Sequence, residues 1–78
     1  MSAREVLEEL DRLGISIFYR QPGPGPATRI DVGLGRERAY PELLRALKER
    51  TPELLRVARF EPSRHTPGTY LRRPGGAE

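Results

Sequence analysis

The chain has 78 residues, no cysteine and a single histidine, with 14 basic against 11 acidic side chains and a net charge of +3. So short a chain makes one domain with a thin core, and neither disulfides nor a Cys/His metal cluster is on hand to reinforce it, so homodimer formation is an expected source of stability. No apolar stretch suits a membrane span or a secretory leader, which points to a soluble cytoplasmic protein. Every basic residue except Lys48 is Arg, and with eight prolines this fits a heat-adapted or a GC-rich source. Residues 1–35 carry four bases and five acids, whereas residues 36–60 carry seven and four, so an anionic partner should prefer the second half.

Ser2 followed three residues later by Glu5 reads as a capping box that opens a helix. Ala3, Val6, Leu7, Leu10 and Leu13 recur at helical spacing, with Glu8, Glu9, Asp11 and Arg12 between them. Gly14 supplies the left-handed residue that closes this helix, and β-branched residues follow at once. From Ile15 to Arg20, Ile15, Ile17 and Tyr19 fall on one face of a strand while Ser16, Phe18 and Arg20 fall on the other. A second run, Thr28 to Leu34, groups Ile30, Val32 and Leu34 and turns Arg29, Asp31 and Gly33 away. The two runs make an antiparallel hairpin around a stiff Pro and Gly loop, Gln21 to Ala27, too long to fix the register tightly.

Tyr40, Leu43, Leu44 and Leu47 form the apolar stripe of a second helix, with Pro41 in the first turn, where its missing N–H does no harm. Thr51-Pro52-Glu53 repeats that grammar, with Thr51 as cap and Leu54, Leu55 and Ala58 as the buried side of a third helix. Two helices at an angle are favoured over one kinked helix, because Pro52 would collide with the Lys48 carbonyl. Beyond Phe60 the periodicity fades. Residues 61–78 read as a Pro, Gly and Arg-rich arm after an αββαα domain at 1–60, with Thr69 to Arg72 available as a third strand on the hairpin. The fold class is α+β, a small antiparallel hairpin packed on helices.

Catalytic groups are scarce. Gly33-Leu-Gly35 lacks the third Gly and the parallel crossover of a dinucleotide site. His65 has neither a metal-binding companion nor a nucleophile to activate, and Glu8 and Glu9 are adjacent and point different ways around a helix. No enzyme, metal or cofactor is expected. Phe18 and Arg20, with Arg29 and Asp31, lie on the sheet face opposite the expected core, and an exposed aromatic among Arg residues has the composition of an interface core; the alternative is that the arm or a helix covers Phe18. A two-stranded sheet also leaves an uncovered rim, to which another chain can add as a strand. The expected partner is an extended, charged segment of another protein. The alternative is a nucleic acid held by Arg36, Arg38, Arg45, Lys48, Arg56, Arg59, Arg72 and Arg73, against which the interleaved acids and the single outward aromatic weigh.

Leu10-Asp-Arg-Leu-Gly-Ile15, together with Pro41-Glu-Leu-Leu-Arg-Ala-Leu-Lys48 and Pro52-Glu-Leu-Leu55, resembles the TubC-type N-terminal docking domain of nonribosomal peptide synthetases over residues 2–60. The resemblance implies an αββαα fold and a tendency to dimerise. It also implies capture of another subunit's C-terminal tail as a strand beside the hairpin, with Arg29 and Asp31 as the selecting charges.

Overall fold

The structure, a computed structural model, describes residues 1–21 and 23–75. Helix α1 spans Ala3–Leu13. Its first turn is closed by the expected capping box: Glu5 donates its N–H to Ser2 Oγ (3.1 Å) and Ser2 donates its own to Glu5 Oε1 (2.7 Å). At the other end Gly14 takes φ 70° and ψ 38°. There the Ile15 N–H reaches back to the Leu10 carbonyl (2.9 Å), and the two side chains pack in the core. Helix and strand are thus joined without slack.

Strand β1 is Ile17–Arg20, β2 is Asp31–Val32, and a 3-10 turn at Arg36–Arg38 leads to α2, Pro41–Glu49. Helix α3, Thr51–Val57, follows with only Arg50 between, so the break ahead of Pro52 yields two helices, as expected. Thr51, however, is not the cap. It lies inside α3, and its hydroxyl donates to the Leu47 carbonyl of α2 (2.9 Å), pairing an acceptor that the end of α2 leaves open.

The C-terminal segment adds two strands, β3 (Glu61–Pro62) and β4 (Thr69–Arg72), the second at the expected position. All pairings are antiparallel and the sheet order is β2-β1-β4-β3. β4 therefore lies on the far side of β1 from β2, with Ile17 opposite Arg72 and Tyr19 opposite Tyr70. Pro62 sits in an outer strand, where its missing N–H is tolerated.

The helices pack on the Ile17 face of the sheet. Val6, Leu10, Ile15, Ile17, Leu43 and Leu54 are fully buried, and Ile30 and Leu47 nearly so. Tyr19 continues this face, packing edge-on against Phe60 (centroids 4.7 Å apart) and stacking on Tyr70 (5.1 Å). Arg72 also faces the helices and forms a two-pronged pair with Asp11 of α1 (3.0 and 3.3 Å).

Two expectations about the second strand fail. It is regular over Asp31–Val32 only, and Leu34, expected beside Ile30 and Val32 in the core, is 81% exposed. Gly33 and Leu34 both bond to Ser16: the Gly33 N–H goes to its carbonyl (2.8 Å), its N–H goes to the Leu34 carbonyl (2.9 Å), and the Leu34 N–H goes to its Oγ (2.8 Å). Two residues facing one is a bulge, and it ends the alternation.

A candidate docking edge on β2

The bulge sets which backbone groups of β2 face inward. Since the ladder bonds at Ser16, it bonds next at Phe18 opposite Asp31, leaving Ile17 opposite Val32 as the wide pair. The N–H and C=O groups of Ile30 and Val32 therefore point away from β1. Among the described residues no hydrogen bond occupies them. The C-terminal strands close the other side of β1 and leave this rim uncovered.

Two hollows flank the rim, one on each face of the sheet. On the outer face a depression of about 510 Å³ is lined by Phe18, Arg20, Arg29, Asp31, Val32 and Arg36. The four residues singled out as partner contacts, Phe18, Arg20, Arg29 and Asp31, are thus brought together, with Phe18 half-buried rather than fully covered. Arg29 Nε donates to Asp31 Oδ1 (3.0 Å), while Arg20 and Arg36 stand exposed beside them. On the helix face a groove of about 810 Å³ runs between residues 28–32 and the end of α2, with the half-buried Val32 and Leu44 supplying apolar surface above the nearly buried Ile30 and Leu47, and Lys48 and Glu49 the rim. Arg36 borders both hollows. An extended segment laid along β2 would send alternate side chains into each.

The eight basic residues considered for anion binding do not gather on one face. Arg72 is tied to Asp11, its side chain only 13% exposed. Arg38 donates to the Leu13 carbonyl (3.0 Å), satisfying the end of α1. Arg45, Lys48 and Arg56 are exposed on α2 and α3, and Arg59 and Arg73 border a separate groove at the opposite end of the sheet. The sequence carries no spacing signal for the Arg38 and Arg72 contacts, which join residues 25 and 61 positions apart.

The ionisable group most shifted lies away from this edge. Glu9 is drawn down to about 2, chiefly by hydrogen bonds from Arg12 and further by one from the Tyr40 hydroxyl (3.0 Å), while burial pushes the Tyr40 phenol up. The network joins α1 to the start of α2. Among the described residues no cluster of His, Asp or Glu is arranged to hold a metal ion, and no helix is long and apolar enough to cross a membrane.

No protein-family model, curated protein or solved structure matches the chain. Its shape, a few helices on one face of a small antiparallel sheet, is consistent with the TubC-type docking domain in general outline and is not specific to it.

Proposed function

We propose that this chain is a small protein-protein docking module that takes an extended segment of another protein as an additional strand on β2. The observation that carries the reading is the sheet order. The chain's own C-terminal hairpin pairs with β1, so the backbone of Ile30 and Val32 faces outward between two hollows. Main-chain bonds to such a rim give affinity, and side chains entering flanking hollows give selectivity. Three Arg and one Asp border the outer hollow, which favours acidic side chains on that face of the guest, and the half-buried Val32 and Leu44 favour apolar ones on the other. A nucleic-acid role draws less support, since Arg38 and Arg72 hold the fold together and the remaining cations are dispersed.

The test is selection from a displayed library of random extended peptides, followed by amide mapping on the isotopically labelled chain. Selected peptides should alternate acidic and apolar residues, and should shift and protect the amides of Ile30 and Val32. Arg29→Glu should weaken them about tenfold or reverse their charge preference, with thermal unfolding almost unchanged because Arg29 is 83% exposed. Peptides that map to α2 and α3, or a matching loss of stability, would overturn the reading.

A further inference from the structure

We propose that the same edge pairs with a second copy of this chain, and that this pairing covers the docking edge until a partner strand displaces it. The inference rests on the docking reading in that the second copy occupies the place a guest would take.

The polarity of the rim limits the register. Outward groups lie on Ile30 and Val32, so an antiparallel twofold pairing must match these even-numbered positions with one another. Centring the axis on Ile30 sets Thr28 against the partner's Val32 and places Arg29 directly across from the partner's Asp31, twice over by symmetry. These fall at a wide pair, where side chains approach most closely. Shifting the axis to Asp31 would bring two carboxylates face to face, and moving it to Val32 would leave Asp31 opposite Gly33. The segment Thr28-Arg-Ile-Asp-Val32 is therefore complementary to itself in one register.

Nothing structural has to be broken to reach that pairing. Arg29 and Asp31 already sit 3.0 Å apart on the outer face, so the two copies bring their charges into one alternating row. On the helix face Ile30 and Leu47 are nearly buried in their own core, and the half-buried Leu44 beside them supplies the apolar surface that the second copy covers. A pairing through one short strand falls below the ~1,200 Å² typical of stable interfaces, which makes it a reversible cover rather than a permanent dimer.

Sedimentation velocity on the full chain, in a dilution series up to about 1 mM, tests this directly. The wild type should pass from monomer to dimer. R29D, which sets carboxylates opposite each other, and D31R, which sets guanidinium groups opposite each other, should each weaken pairing about tenfold or more. The double swap R29D/D31R should restore it, and an equimolar mixture of the two single variants should form a heterodimer. A wild type that stays monomeric throughout overturns the proposal, as do single variants that pair like the wild type or a folded double swap that does not recover. The two readings separate cleanly: a monomer whose Ile30 and Val32 amides still respond to library peptides keeps docking and loses self-pairing, whereas a dimer that selects no peptide does the reverse.

Discussion

At the scale of single residues, Ser16 governs the candidate edge. It is buried, and its hydroxyl accepts the Leu34 N–H while its backbone holds Gly33 and Leu34 in the bulge. Ser16→Ala removes that part-buried hydrogen bond, at about 0.5–1.5 kcal/mol. Gly33 is constrained by the same hydroxyl, because a Cβ there would lie 2.8 Å from Ser16 Oγ, whereas its next neighbours, in Phe18 and the Ser16 carbonyl, stand at ordinary contact distances of 3.5 and 3.6 Å. Gly33→Ala should therefore destabilise the wild type and cost much less in the Ser16→Ala background. Urea titration of the four-member cycle measures this, and additive costs would show that the hydroxyl is not what excludes the methyl group.

Between elements, the bond between helices is the part most open to pH. The Glu9 carboxylate joins Arg12 on its own helix to Tyr40 at the start of α2, and its pKa of about 2 lies below the ordinary 4.5. A lowered carboxylate pKa means that the stabilisation is fully present above 4.5 and is lost as pH falls through about 2. Glu9→Gln should lower stability near neutrality and flatten the acid limb between those values, checked by unfolding midpoints across the range. An unchanged limb would assign the acid sensitivity to other carboxylates. Helices were the legible elements here, because Val6, Leu10, Leu43 and Leu54 follow a 3.6-residue stripe that the core rewards directly. The strands were legible in part. Period two sorted Ile17 from Phe18 correctly, but the bulge at Gly33 and Leu34 depends on a hydroxyl 18 positions away, and no local pattern announces it. Of the site, the grouping of Phe18, Arg20, Arg29 and Asp31 could be read from alternation alone; the groove beside Leu44 and Lys48 could not, since it exists only once α2 lies next to β2.

For the molecule as a whole, the decisive arrangement is that β1 is paired on both sides while β2 is paired on one. The segment after Phe60 supplies β4, the Tyr70 ring stacked on Tyr19, and the Arg72 guanidinium that binds Asp11 of α1. A single core of this size provides only ~3–5 kcal/mol, whereas losing one aromatic pair at ~0.5–1.5 kcal/mol, a charged hydrogen-bonded pair at ~1.5–3 kcal/mol and a strand ladder together matches or exceeds it. A chain ended at Phe60 should consequently fail to unfold cooperatively. It should also aggregate, because the four-residue edge of β1, bearing Phe18 and Tyr19, would then lie open in place of the two-residue, Pro-bearing β3. Circular dichroism melts and light scattering of the shortened chain check this against the full chain. If the shortened chain melts at the same temperature and stays dispersed, the hairpin is an appendage. In the full chain the other border of the sheet is β3, only two residues long and blunted by Pro62; without it the β2 rim would compete with the longer open edge of β1, and the argument that the fold singles out β2 for a partner would lose its physical basis.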